Sequence, residues 1–343
     1  MTGALHAISD AVPSPQPVDP MALSLNENPY PPLPSVRAAI VESIGAVNRY
    51  PEFLPERLRR VIAGHVGVRN EQVVIGAGAT GVAMQVLNAV TTPGDRIVLA
   101  EPTFDGYPIL ARMAHLTSVA VPLDRCGHHD LDMMADAATQ ARVLVLCRPH
   151  NPTGTMESAA SVHQFLSRVP RDTIVLLDEA YIEFAAPQRR LETRYLIKKF
   201  PNVVVVRTFS KAYGLAGIRT GYGFCGLDLA RTLWTMQMPF GAAITSLAAV
   251  TASYEAENQL QRRVRAIADE RSYLRSRLSA LGVVSSDSHA NFVYLPQRGR
   301  PWSDAFVDTD LRIRSYADGG VRITVGERTS SRAVLRAITA SSR

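Results

Sequence analysis

Cysteine is scarce and long apolar runs are missing from this 343-residue sequence. The three cysteines, Cys126, Cys147 and Cys225, show no CxxC or Cys/His ligand spacing, so the sequence predicts neither a disulfide framework nor a metal site. No apolar run approaches the roughly 18 residues that a membrane span requires. Residues 1–20 lack the basic and apolar regions of a secretory signal, so we expect a cytoplasmic protein without a membrane partner.

Lysine is also scarce, because 34 of the 37 basic residues are arginine. Arginine keeps its proton and cannot form an imine, whereas a lysine can lose its proton where its pKa falls. Any Schiff-base chemistry therefore has three candidates: Lys198, Lys199 and Lys211. Lys198 and Lys199 are adjacent and look like the basic end of a surface helix. The net charge of +6 is spread along the chain, which argues against a nucleic-acid partner.

Short apolar runs alternate with longer helical segments from about residue 72 onward. The runs are Val73–Ile75, Arg96–Leu99, Ser118–Val121, Val143–Leu146, Thr173–Leu177, Val203–Val206 and Tyr222–Phe224. Strands that alternate with helices predict a mainly parallel sheet covered on both faces, an α/β three-layer sandwich. In such sheets, ligands bind where the carboxyl ends of the strands open into loops.

The chain is too long for one ordinary core, so the sequence predicts more than one domain. Beyond residue 238 the pattern changes to helices, followed by short apolar runs at 291–295, 311–315 and 321–325, which is typical of a smaller α+β domain. We expect a disordered or lid-forming lead over 1–22, a large domain over 45–238, and a small domain built from 23–44 with 239–343.

Two polar motifs follow apolar runs at the predicted rim of the sheet. Asp178-Glu179-Ala180-Tyr181 follows the fifth run, and Thr208-Phe209-Ser210-Lys211 follows the sixth. An enzyme that uses pyridoxal 5′-phosphate (PLP) needs an anion opposite the pyridine nitrogen, because the protonated ring is the stronger electron sink. Asp178 fits that role, and Lys211 fits the Schiff-base lysine. A lone Asp after a strand is more often a turn residue. The prediction therefore depends on Asp178 and Lys211 occurring together at the same rim.

A glycine-rich turn, Gly76-Ala77-Gly78-Ala79-Thr80-Gly81, joins the first run to a helix. Free backbone N–H groups at such a helix start favour a phosphate. The turn lacks the terminal Gly-Lys-Ser/Thr of a P-loop, which argues against ATP. Thr208, Ser210 and Arg219 would add hydroxyl donors and a charged fork, and Phe104 offers a ring for stacking.

With these residues assembled, the chain resembles the fold-type I PLP aminotransferases, in the branch of histidinol-phosphate aminotransferases and actinobacterial aromatic aminotransferases. The resemblance covers about residues 23–340. Its motifs are Ser210 to Tyr222, Asn48-Arg49-Tyr50-Pro51, Asn151-Pro152-Thr153-Gly154, Asp178 to Tyr181 and Arg322 to Gly326, in the family's order. The resemblance implies a homodimer that acts in amino-acid biosynthesis, with small-molecule amino acid and 2-oxo acid substrates.

The resemblance also implies a role for each matching residue. Lys211, Asp178 and Tyr181 would be catalytic. The cofactor would be bound by Ala79, Thr80, Phe104, Asn151, Asp178, Tyr181, Thr208, Ser210, Lys211 and Arg219, and by Tyr50 reaching the neighbouring subunit's phosphate. The substrate would meet Arg322, Asn28, Tyr30, Asp105 and Arg148.

Three departures from the family pattern bear on the substrate. Residues 11–20 lack the aromatic stretch that usually closes the pocket, Arg148 and His150 replace neutral residues, and Asp105 follows Phe104. The sequence predicts a transaminase of the aromatic or histidinol-phosphate type. Alternatives are an aminotransferase acting on an unusual, guanidino-bearing 2-oxo acid, another PLP reaction such as decarboxylation, and a PLP-binding regulator, for which no helix-turn-helix is visible.

Overall fold

Seven strands form one sheet between two layers of helices in residues 16–297 and 299–341, the part of the chain that the computed structural model describes. The strands are β1 (Val73–Ala77), β2 (Arg96–Glu101), β3 (Thr117–Pro122), β4 (Val143–Cys147), β5 (Ile174–Asp178), β6 (Val203–Thr208) and β7 (Thr220–Cys225). Their order across the sheet is β1-β7-β6-β5-β4-β2-β3. β7 is antiparallel to both of its neighbours, and the other neighbouring pairs are parallel. The predicted α/β fold with a mainly parallel sheet is confirmed.

The sheet is buried on both faces, because alternate residues of a strand point to opposite sides. In β5, Val175 and Leu177 enter one core cluster, while Ile174 and Leu176 enter the other. The helices of this region are α1 (Pro34–Ile44), α2 (Glu56–Val66), α3 (Gly78–Val90), α4 (Gly106–Met113), α5 (Leu131–Ala138), α6 (Ala159–Arg168), α7 (Thr193–Lys199) and α8 (Leu227–Trp234). α3, α4 and α8 cover one face, and α5, α6 and α7 cover the other.

A second, antiparallel sheet follows the large one along the chain. Two helices precede it and a third follows its last strand. Its strands are β8 (Phe292–Leu295), β9 (Arg314–Ser315) and β10 (Val321–Thr324), and the helices are α9 (Ile244–Glu255), α10 (Glu257–Ala280) and α11 (Arg328–Ser341). The strand predicted over 311–315 is too long, because Arg312 bridges to Ala22 and only Arg314–Ser315 pair with β10.

The boundaries of the predicted domains stay a prediction. α1 packs against α9, so the segment over 23–44 lies close to the helices that precede the small sheet. Residues 1–15 of the predicted lead lie outside the described residues. Among the helices that the structure describes, none is both long and apolar enough to cross a membrane.

The polar motifs lie at one rim of the large sheet. Asp178 is the last residue of β5 and pairs in register with Cys147, the last residue of β4. Thr208 ends the adjacent strand β6. Since the carboxyl ends of parallel strands meet at the same edge, the loops that follow these strands surround a common space.

Candidate active site

A cavity of about 360 Å³ opens at this rim and is lined by residues from both sheets. Pockets of this size hold small organic ligands. Ten of the eleven predicted cofactor residues line it: Ala79, Thr80, Phe104, Asn151, Asp178, Tyr181, Thr208, Ser210, Lys211 and Arg219. The eleventh, Tyr50, lies outside the cavity lining and is 83% exposed, so its predicted contact with a neighbouring subunit stays a prediction.

Hydroxyl groups and a guanidinium gather beside the start of α3. Gly78 has a left-handed backbone (φ 73°), and a Cβ there would come within 2.7 Å of Arg219 Nη2. Glycine therefore allows Arg219 to approach the helix start closely. Arg219 Nη1 donates to Ser210 Oγ at 3.4 Å, and Thr208 Oγ1 donates to the same oxygen at 3.0 Å. A cation, two hydroxyls and a helix N-terminus together favour a phosphate.

Asp178 is the buried acid of the cavity. Tyr107 Oη donates to its Oδ2 at 2.6 Å, and the Ala180 N–H donates to its Oδ1 at 2.9 Å. Burial raises the pKa of Asp178, whereas these two hydrogen bonds and a third from Cys147 oppose the rise. Because its oxygens are held by donors, Asp178 can present a negative charge to a cationic group in the cavity.

Lys211 brings an amine into the same space. Its Nζ donates to the Leu25 carbonyl oxygen at 2.9 Å. Burial lowers the pKa of Lys211 to about 8, and the positive charges of Arg322 and Arg219 add to the decrease. Near neutral pH a fraction of this amine is unprotonated and can act as a nucleophile or a base. In contrast, the adjacent lysines 198 and 199 are exposed at the end of α7, as the sequence predicted.

A buried guanidinium completes the cavity on the side of the small sheet. Arg322 Nη1 donates to Asn151 Oδ1 at 2.5 Å, and Asn151 Nδ2 donates to Tyr181 Oη at 3.4 Å. Asn26 Nδ2 donates to the same phenol oxygen at 2.9 Å. Within the described residues, Arg322 Nε is buried and has no hydrogen-bond partner. A buried cation with an unpaired donor is suited to bind an anion that enters the cavity.

The predicted substrate residues are not all brought together. Arg322 and Asp105 line the cavity, but Asp105 Oδ2 already pairs with Arg314 Nη2 at 2.8 Å. Asn28 lies outside the lining and donates to the backbone oxygens of Lys211 and Ala212, at 3.2 and 2.9 Å. Asn28 therefore supports the loop that carries the lysine.

Arg148 and Tyr30 also lie outside the cavity lining. Arg148 is 1% exposed, and its guanidinium donates to the carbonyl oxygens of Glu157 and Arg189 at 2.7 to 3.1 Å. The expectation that Arg148 meets the substrate is corrected, because backbone acceptors hold its charge in the interior. The Arg263 guanidinium lies over the Tyr30 ring, with 5.7 Å between the Arg263 Cζ and the ring centroid.

The cavity lining includes residues that sequence reasoning missed, among them Tyr107, Asn26 and Arg314. Tyr107 comes three residues after Phe104, a helical spacing that could have indicated a shared direction. Asn26 begins the Asn-Glu-Asn-Pro motif, in which the sequence predicted a site role for Asn28 and not for Asn26. No local signal marks Arg314, because its place at the cavity depends on how the small sheet packs.

The side chains present fit PLP. Each functional group of the cofactor finds a matching group in the cavity lining. The Lys211 amine matches the aldehyde, and the Asp178 carboxylate matches the ring nitrogen. Tyr181 and Asn151 match the ring hydroxyl, and Arg219 with the two hydroxyls matches the phosphate. Gly221 allows the start of α3 to pack directly against β7, because a Cβ there would lie 2.4 Å from the Gly78 backbone. The described residues include no group of three or more His, Cys, Asp or Glu side chains that could hold a metal ion.

Comparisons with known proteins agree with this geometry. A family model described as aminotransferase class I and II matches residues 18–338. An aromatic amino acid aminotransferase of Streptomyces avermitilis is 40% identical over 334 residues, 94% of this chain and 93% of that protein. One of Cutibacterium acnes is 40% identical over 307 residues, 89% of this chain and 87% of that protein. A crystal structure of histidinol-phosphate aminotransferase from Sinorhizobium meliloti in complex with PLP superposes with a TM-score of 0.84 at 26% identity, covering 93% and 91% of the two chains.

Proposed function

Because the chain belongs to the class I and II aminotransferase family and uses PLP to move an amino group between an L-amino acid and a 2-oxo acid, we propose that its substrates are aromatic. The observation that carries this proposal is the 40% identity to an aromatic amino acid aminotransferase over nearly the whole chain. Apolar groups of Leu25, Phe104 and Leu110 in the cavity lining would suit an aromatic ring.

Histidinol phosphate is the second candidate substrate. The structural similarity to a histidinol-phosphate aminotransferase, at 26% identity, favours it. The comparisons do not favour the guanidino-bearing 2-oxo acid or decarboxylation. The burial of Arg148 and His150 removes two of the residues that motivated the guanidino alternative.

When bound, PLP supplies an electron sink for the charge that develops at the substrate Cα. We propose that Lys211 Nζ holds the cofactor covalently and, once released, moves the proton from Cα. Asp178 would keep the ring nitrogen protonated, and Phe104 would stack on the ring. The phosphate would be bound by Arg219, Thr208, Ser210 and the N–H groups of Ala79 and Thr80, and the ring hydroxyl by Asn151 and Tyr181.

The test of the substrate class is a single-turnover panel of amino acceptors. The enzyme is first converted to its amino form with excess amino donor, and each acceptor is then added while absorbance is recorded. We expect phenylpyruvate to restore the original spectrum fastest. Imidazole acetol phosphate serves as the comparison, and faster recovery with it would favour histidinol phosphate. Failure of both compounds would overturn the proposal.

We predict that Arg322→Gln raises the KM for phenylpyruvate by about tenfold or more, because the glutamine cannot pair with the substrate carboxylate as a charged fork does. Steady-state kinetics with tyrosine as the amino donor would measure the change. Arg312→Gln is the matched control, since Arg312 is exposed and pairs with Asp19 outside the cavity. An unchanged KM in Arg322→Gln would contradict the assignment.

We further propose that two copies of the chain form a dimer with shared active sites. Exposed apolar side chains cluster around Phe240, whose ring centroid lies 4.8 Å from that of Tyr50 and 5.2 Å from that of Phe53. Nearby along the chain, Val47 and Met238 are 64% and 68% exposed. Contiguous exposed apolar surface of this kind marks protein interfaces. A cytoplasmic location stays a prediction.

Phe240→Asp is expected to yield monomers with little activity, because a charge at the centre of an apolar interface costs several kcal/mol, on the order of 2 to 5. Light scattering after size exclusion would measure the mass of wild type and variant. Val307→Asp is the control, because Val307 is 72% exposed and lies in the sequence far from the Phe240 cluster. A wild-type protein that elutes as a fully active monomer would rule out the shared site.

A further inference from the structure

A buried polar cluster lies behind the loop that carries Asn151. Arg148, His150, His129 and Glu157 form it, and each is at most 7% exposed. None of them lines the cavity, so the proposed chemistry does not use them directly. Burying polar and charged groups costs free energy unless they are held by partners, so four of them side by side require an explanation.

His150 connects two segments that each contribute a wall of the cavity. Its Nε2 lies 3.0 Å from the Pro102 carbonyl oxygen. A carbonyl oxygen only accepts, so Nε2 carries the proton and donates it. Pro102 comes two residues before Phe104, and His150 directly precedes Asn151. One hydrogen bond therefore joins the segment with the stacking ring to the segment with the amide.

His129 packs directly against the His150 ring, and Glu157 and Arg148 support His129 from behind. The two histidine rings meet edge-on, with 4.3 Å between the ring centroids. Glu157 Oε1 accepts from the His129 backbone N–H at 3.1 Å and lies 2.8 Å from its Nδ1. Arg148 donates to the Glu157 carbonyl oxygen at 2.8 Å, which closes the chain of contacts.

The charge states agree with this arrangement. Burial lowers the pKa of His150 to about 3, so the ring is neutral at working pH and donates through one nitrogen. Burial opposes ionisation of Glu157, but His129 outweighs it and the pKa of Glu157 falls to about 2. An ionised Glu157 stays a strong acceptor for His129.

We propose that His150 is a positioning residue, which fixes the distance between Phe104 and Asn151 through its hydrogen bond to Pro102. The proposal rests on the roles given above to Phe104 and Asn151 in binding the cofactor. It explains why a departure from the family pattern lies directly beside a cofactor residue without reaching the cavity. The aromatic ring and the amide would then meet the cofactor already at the correct spacing.

The test compares His150→Leu with His150→Gln. Glutamine can bring an N–H close to the position of the imidazole Nε2, whereas leucine cannot donate. We expect His150→Leu to weaken PLP binding about tenfold, the scale of one buried hydrogen bond, and His150→Gln to restore most of it. Amide hydrogen exchange of the apoprotein should rise in peptides covering 101–107 and 148–155 in the leucine variant but not in the glutamine variant.

Two further variants keep the test decisive. His150→Asn should behave as His150→Leu does, because its shorter amide cannot reach Pro102, and it serves if the leucine variant does not fold. His128→Leu is the control, since His128 lies beside the cluster in sequence and its side chain is only loosely held, with the ring Nδ1 3.9 Å from Asp124 Oδ1.

Unchanged PLP affinity and exchange in His150→Leu and His150→Asn would overturn the proposal. So would a rise in exchange across the whole sheet without rescue by glutamine, because that result indicates a general stabilising role. If the wild-type protein binds PLP but does not transaminate, the proposed function is wrong. The PLP affinities of the His150 variants would still test the positioning role of His150.

Discussion

Lys211→Ala is expected to lose the visible absorbance of the bound cofactor and to lower kcat by about 10³-fold or more. The alanine cannot attach the cofactor, and it removes the base that moves the substrate proton, an effect worth roughly 10²- to 10⁴-fold by itself. Spectra between about 360 and 430 nm after incubation with PLP, together with single-turnover rates, would measure both losses, because the covalently held cofactor is the chromophore.

The matched control replaces the other two lysines. A Lys198→Ala, Lys199→Ala double variant should keep the wild-type spectrum, since both side chains are exposed at the end of α7. In wild type, the rate of PLP uptake should rise with pH and reach half of its maximum near pH 8. The sign follows from the lowered pKa of Lys211, about 8, because only the unprotonated amine attacks the aldehyde. A wild-type protein without the absorbance would refute the assignment.

Asp178→Asn is expected to lower kcat by about 10²- to 10³-fold while leaving the fold intact. Asparagine has nearly the same shape and its Oδ1 can still accept from Tyr107, but its Nδ2 cannot accept from the Ala180 N–H. The loss therefore combines the missing negative charge opposite the ring nitrogen with one missing acceptor. Removing one preorganised electrostatic group from an active site typically has an effect of this size. Single-turnover rates with an aromatic amino acid would give the number, and thermal unfolding would check the fold.

Two controls separate charge from hydrogen bonding and from surface effects. Tyr107→Phe removes one donor to the carboxylate but keeps its charge, so we expect a smaller decrease, about tenfold. Asp172→Asn changes an exposed carboxylate of the same region and should have no effect. If Asp178→Asn were as active as wild type, the ring nitrogen would need another partner.

The strands of the large sheet could be predicted because their signal is local. Runs such as Val143–Leu146 and Val203–Val206 consist of apolar residues long enough for a strand and too short for a helix. The rim position of Asp178 and Lys211 followed from strand ends alone. The antiparallel direction of β7 did not, because strand direction depends on where the chain crosses the sheet.

The partners of the charged side chains could not be predicted from short sequence segments. Asp105 was expected to face the substrate, yet it pairs with Arg314, which is distant in sequence and arrives with the small sheet. Arg148 was expected at the cavity, yet it turns toward backbone oxygens in the interior. Whether a charge faces solvent, a partner or a ligand depends on groups far along the chain.

The sequence by itself determined the fold class, the cofactor and the order of the motifs that hold it, because these depend on residue type, apolar periodicity and spacing within short segments. Only the tertiary structure decided that Tyr107 supports Asp178, that Arg322 keeps an unpaired buried donor, and that His150 joins two walls of the cavity. The physical reason is that hydrogen bonds and ion pairs act over about 3 Å in space, irrespective of the distance between the residues along the chain.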